Sequence, residues 1–190
     1  MAAAIYSTTN TEGIDINAVF MLDSGTPEYP RPPFITGELA FGTDGSAWVY
    51  STASITIGAG SVVILSAVPG SFSAALIGGS TAATAPTGRW LGVVGGSQGS
   101  MVVPAPSGTQ IGSFFWVQRL GNVPNVKTLA TTTQSVQLYT SATLGGVVTG
   151  AAGGAATSYQ VNGLVISQAT GSAAGPNTGI ANWPVVGSSA

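Results

Sequence analysis

Histidine and cysteine are both absent from this chain of 190 residues. Without cysteine there is no disulfide framework and no thiolate metal site, and the redox compartment leaves no trace in the sequence. Without histidine the commonest general base and metal ligand is missing. Charge is nearly as scarce. Asp, Glu, Lys and Arg make up 5% of the residues, against roughly 25% in an average soluble domain. The cations are Arg31, Arg89, Arg119 and Lys127, and the acids are Glu12, Asp15, Asp23, Glu28, Glu38 and Asp44. From Thr128 onward no side chain carries a formal charge. Four scattered cations cannot track a phosphate backbone, so nucleic acid is not an expected partner.

Long apolar runs are lacking as well. Residues 45–88 are uncharged, but Gly58, Gly60, Pro69, Gly70 and many serines interrupt them. No stretch reaches the roughly 18 apolar residues of a spanning helix, so no membrane partner is expected. The first residues lack the cationic and apolar regions of a signal peptide. Helix signals are missing too, because 28 glycines and 11 prolines punctuate the chain and leave no long window with a period of 3.6.

What remains is β structure. Hydrophobic residues make up 44% of the chain, enough for a core. Val, Ile, Thr and aromatic residues come in short runs bounded by Gly, Pro, Ser and Asn. The expected fold is all-β: a compact β-barrel or β-sandwich with long Gly/Ala/Ser loops and an extended N-terminal arm. Strands are predicted at residues 61–67, 90–94, 113–120, 136–140, 146–149, 159–168 and 180–186. In residues 38–50, Asp44-Gly45 suits a two-residue hairpin turn, with Trp48 and Tyr50 on one face and Ala47 and Val49 on the other.

Residues 1–33 read as the arm. They end in a cluster of prolines that enforces extended backbone, with a short strand expected at 18–22. Ile14, Ile16, Val19, Phe20, Met21 and Leu22 are too apolar to leave in water and are the candidates for contact with a partner. Residues 34–190 form the β-rich domain. A weak echo runs through it: residues 61–65, 90–94 and 114–118 match 135–139, 161–166 and 182–186 in order. The period is too irregular for a solenoid. The chain is then one compact unit, or two related halves at about 34–122 and 123–190.

No catalytic residue is assigned. Gly95-Gly-Ser97-Gln-Gly99 fits the G-x-S-x-G pattern, but a nucleophile elbow needs a following helix and a histidine to take the serine proton. Here Met101-Val-Val-Pro follows and histidine is absent. Lys127 has no serine three residues before it. The acids read as solvated surface groups rather than a glycosidase pair. No metal site is expected, since His, Cys and a calcium-loop pattern are all missing, and no cofactor is expected. Trp48, Trp90, Phe114, Phe115, Trp116 and Trp183 lie in strand-like runs and read as core or interface, with a sugar platform as the other reading.

Residues 42–50, 57–64, 90–94 and 112–118, taken in that order, resemble the small head-decoration (cement) proteins of tailed bacteriophages. The resemblance covers roughly residues 38–121 and, more loosely, 163–168. It implies a non-catalytic virion protein on the outer surface of the capsid. Its partners would be the major capsid protein and itself, as a homo-oligomer with a trimer favoured, bridging neighbouring capsomers. The low net charge of −2 fits a surface covered by assembly rather than one kept apart by self-repulsion. Another virion component, such as a tail or fibre protein, and a sugar- or ice-binding β module are the alternatives.

Overall fold

A computed structural model describes residues 5–7, 13–14, 16, 20, 32–68, 71–78, 88–95, 113–130, 132–151, 158–168 and 175–189. They are all-β, with no helix among them. The strands are β1 (Ile5–Ser7), β2 (Gly13–Ile14), β3 (Leu39–Gly42), β4 (Ala47–Ala53), β5 (Val62–Val68) and β6 (Ser71–Leu76). They continue as β7 (Leu91–Val94), β8 (Phe114–Thr128), β9 (Leu138–Thr140), β10 (Val148–Thr149), β11 (Tyr159–Gln168) and β12 (Gly175–Ser189).

Pairing closes a five-stranded barrel in the order β4-β6-β5-β7-β8 and back to β4. Strand directions cannot alternate all the way round a ring of five, so one pair must be parallel. Here it is β4–β6, through Thr52 and Ser73 and through Ala53 and Ala74. A second ring of pairing runs β8-β10-β9-β11-β12 and back to β8. Its parallel pair is β10–β8, joined at Val148 and Thr128 and by the Leu129 N–H donating to the Val148 carbonyl at 2.9 Å.

Numbered along the chain, both rings have the order 1-3-2-4-5, with the parallel pair between strands 1 and 3. Strand β8 is the fifth strand of the first ring and the first strand of the second. The three segments of the sequence echo fall on corresponding strands: β5 with β9, β7 with β11 and β8 with β12. The expected division at 122–123 falls inside β8, which continues without a break from Phe114 to Thr128.

Period-2 alternation sorts the apolar side chains into three layers. Val49, Val63, Leu65, Val94, Phe115 and Val117 fill the first barrel. On the other face of the same strands, Val62, Ile64, Leu91 and Val93 join Val123, Val126, Leu138, Val161, Leu164 and Ile166 of the second ring. Trp48, Tyr50, Phe114 and Trp116 form an aromatic layer on the remaining side, with Ile16, Phe20 and Phe34 against it. The first barrel is therefore covered on two sides, which is why residues 61–65 and 113–119 are buried without interruption. Burying each large side chain contributes about 1.5–3 kcal/mol. The Tyr50 hydroxyl lies in this layer without a hydrogen-bond partner among the described residues, and burial raises its pKa.

One local expectation changes. The hairpin connection is three residues long rather than two: the Gly42 N–H donates to the Ser46 carbonyl, and Gly45 takes φ +80°, the arrangement of a turn closed by a glycine bulge. The Asp44 carboxylate accepts from the Ser46 N–H at 3.0 Å and its hydroxyl at 2.6 Å, and the Ser46 hydroxyl accepts from Trp48 Nε1 at 2.9 Å. Of the strand expected at 18–22, Phe20 is the only described residue, and it forms an isolated bridge to Phe114. The arm also contributes β1, which pairs with β3. Much of the sequence expected as Gly/Ala/Ser loops lies outside the described residues.

Candidate functional site

The seam between the two rings brings a buried cation and two surface tryptophans together. It is built on two bulges. Along β8 and β4, Gln118 faces Trp48 and Leu120 faces Ala47, so Arg119 is an extra residue with no counterpart. Along β11 and β12, Asn162 faces Val185 and Leu164 faces Ala181, so Asn182, Trp183 and Pro184 together oppose Gly163. Bulges of this kind re-aim side chains. Gly163 takes φ +78°, and a Cβ there would lie 2.5 Å from the Asn182 carbonyl oxygen. The bulge therefore requires glycine at this position. Trp183 takes φ +48°, strained backbone for a bulky residue and more so before a proline.

The two bulges bring Arg119 and Trp183 together. The Arg119 guanidinium carbon lies 4.4 Å from the ring centre of Trp90 and 5.0 Å from that of Trp183. Trp90 precedes β7 and bridges to Val185 of β12, so each ring of the fold contributes a tryptophan. Arg119 Nε donates to the Leu91 carbonyl at 3.0 Å, and Nη2 donates to the Pro184 carbonyl at 3.3 Å. Arg119 is 3% exposed, whereas Trp90 is 47% and Trp183 37% exposed. A cavity of about 280 Å³ lies against this stack, lined by Gly37, Leu39, Trp90, Arg119, Trp183 and Val185.

Electrostatically, the site centres on a buried cation. No carboxylate pairs with Arg119 among the described residues. Burial pulls its pKa down to about 10, so it stays charged at neutral pH. The two ring faces stabilise it through their quadrupoles, by about 0.5–2 kcal/mol each. The remaining described cations also bind neutral oxygens: Arg89 Nε donates to the Leu65 carbonyl at 3.0 Å, and Lys127 Nζ to the Ser61 hydroxyl at 3.2 Å. A guanidinium at this pKa neither accepts a proton nor attacks a substrate. The stack can bind, through hydrogen bonds from its free edge and contact with its apolar walls.

The candidates named from sequence are distributed differently. Phe20 packs edge-on to Phe114 with ring centres 6.4 Å apart, and Ile16 packs on the same aromatic layer. These two side chains thus have an intramolecular partner. Ile14 lies in β2, where its backbone pairs with Ile5. Val19, Met21 and Leu22 lie outside the described residues, as does Ser97. Of the six aromatics weighed as a platform, Trp48, Phe114, Phe115 and Trp116 are buried, and only Trp90 and Trp183 reach the surface. No cluster of three or more His, Cys, Asp or Glu side chains occurs among the described residues.

Arg119 was not singled out in the sequence reading. Its signal is a lone cation just past Gln118 and the apolar run Phe114-Phe-Trp-Val117. Strand alternation alone does not show that a bulge carries it to a tryptophan 64 residues later in the chain. Compared with known proteins, the chain matches no family model, no curated protein and no solved structure.

Proposed function

We propose that the protein is a non-catalytic structural component of a virion. In this reading it attaches to the outer surface of a tailed-phage capsid as a homo-oligomer and bridges neighbouring capsomers of the major capsid protein. The observation that carries the assembly reading is the set of apolar side chains left at a surface almost without charge. Val165 and Ile180 face each other across β11 and β12 and are 42% and 51% exposed. They lie on strands that carry no formal charge from Thr128 onward. An uncharged strand face with large apolar side chains suits burial against another protein. The capsid in particular is supported by the resemblance of residues 42–50, 57–64, 90–94 and 112–118 to head-decoration proteins, with which the all-β barrel is in keeping.

The test is to separate the heads and tails of purified particles on a density gradient and assay each fraction with an antibody to this chain. The protein is expected in the head fraction, in a fixed ratio to the major capsid protein. Recovery with tails alone would favour a tail or fibre component. Absence from both fractions would overturn the virion reading.

A further inference from the structure

The cation at the seam has more hydrogen-bonding capacity than the fold uses. A guanidinium carries five N–H donors in one plane. In Arg119 two of them meet the carbonyls of Leu91 and Pro184, and the others have no acceptor among the described residues. The rings of Trp90 and Trp183 both pack against the group, which leaves its N–H edge to a ligand. The side chain is nine-tenths buried, lines a cavity and has no counter-ion among the described residues. The cavity's other walls are Gly37, Leu39 and Val185, which offer apolar contact and no second charge.

We propose that this cavity is a receptor site for a carboxylate carried on an apolar stem. A carboxylate is planar, with two oxygens that match the edge of a guanidinium. Its single negative charge balances the single buried cation. A phosphate dianion would bring a second charge into an apolar cavity with nothing to neutralise it. The stem lies between Leu39, Val185 and the two indole rings. The strained backbone of Trp183 supports the same reading, because strain of this kind persists where a side chain must be held for a purpose beyond packing. The carboxylate can belong to a peptide, as a glutamate side chain or a C-terminus, or to a small free acid. The proposal holds whether or not the chain sits on a capsid.

The experiment uses the intact chain and two matched probes, 3-phenylpropionate and its neutral amide. Binding is read from the Arg119 Nε–H resonance and from tryptophan fluorescence, to which the half-exposed Trp90 and Trp183 respond. The acid should shift the Arg119 resonance saturably, and the amide should bind at least about tenfold more weakly, since the charge-assisted hydrogen bond is lost. Binding of the acid should disappear as pH falls below its own pKa, about the usual carboxylate range. Inorganic phosphate should bind more weakly than the acid. Arg119→Gln should abolish the preference for acid over amide. Should that variant not fold, Trp183→Leu, which keeps the cation and removes one wall, should weaken the acid by at least about threefold, in line with the loss of one ring contact. Two short peptides, one with a free C-terminus and one amidated but containing glutamate, identify the source. Binding of either assigns a peptide ligand, and binding of neither, with the acid still bound, assigns a small free acid. Equal binding of acid and amide, tighter binding of phosphate, or no saturable shift of Arg119 with the acid would overturn the proposal.

Discussion

The two five-stranded rings follow one strand order and are covered by different chemistry. In the first, Val49, Val63, Leu65, Phe115 and Val117 form the interior, and Trp48, Tyr50, Phe114 and Trp116 cover one outer side. The buried residues of the second are aliphatic: Val123, Val126, Leu138, Val148, Val161, Leu164, Ile166, Ala181 and Val186. The first ring is packed on two outer sides, whereas the second leaves Val165 and Ile180 in water. A shared topology therefore does not require a shared composition. What the two rings must share is a strand long enough to serve both, and β8 provides it with 15 residues. The seam they create is where two bulges aim Arg119 and Trp183 at each other.

The largest expected effect lies in the aromatic side of this comparison. Trp116 is fully buried against Tyr50, with ring centres 4.9 Å apart, and Trp116→Ala should lower stability by about 3–5 kcal/mol. Leu138→Ala in the second ring should lower it by about 2–5 kcal/mol. Chemical denaturation of both variants measures the difference. A Leu138 variant with wild-type stability would show that the second ring contributes little to the whole.

A smaller effect is expected at the bulge. Gly163→Ala meets both a positive φ and a close carbonyl and should cost about 1–3 kcal/mol, with a change in Trp183 emission as the ring leaves Arg119. At Gly45 the φ is also positive, but an added Cβ meets nothing within 4 Å, so Gly45→Ala should cost only about 1 kcal/mol and leave the emission unchanged. Equal effects at the two sites would separate Gly163 from the seam.

Much of this fold is legible in the sequence, for physical reasons. The runs at 61–67 and 159–168 read clearly because β-branched residues occupy them between turn residues, and they match β5 and β11 within one residue. Strand β6 went unseen, since Ser71-Phe-Ser-Ala-Ala-Leu76 contains no β-branched residue; its place is set by pairing with β5. The lengths of β8 and β12 were also hidden, because Pro124 follows the run at 113–120 and Pro176 precedes the run at 180–186, and each interrupts a strand pattern. The register shift between Asn177 and Gly179 accommodates Pro124. The candidate site was legible only in its tryptophans. Bulges depend on the register of two distant strands, and no local pattern encodes that register.

If attachment of the protein to a particle rests on apolar contact, it should survive washing with about 1 M NaCl, where the Debye length is near 3 Å. Release by salt alone would show that exposed charges hold it. The smallest effect expected is at the hairpin. Hydrogen bonding from the Ser46 hydroxyl and then its N–H lowers the pKa of Asp44 below 3.8. A depressed carboxylate contributes stability that is present above its unfolded value and lost as pH falls through its folded value. The stability difference between the wild type and Asp44→Ala should therefore be constant near neutral pH and shrink below 3.8. A difference that grows with acidification would reverse the assignment.

Strand β8 runs through both rings, so the two are expected to unfold as one cooperative unit. Thermal unfolding followed at both rings tests it directly, with near-ultraviolet circular dichroism reporting Tyr50 and Trp116 and methyl resonances reporting Leu138 and Ile166. Both signals should vanish in one transition with a common Tm, and Trp116→Ala and Leu138→Ala should each shift both signals together. Loss of the Leu138 and Ile166 signals in a separate, lower transition, with the aromatic signal intact, would contradict it.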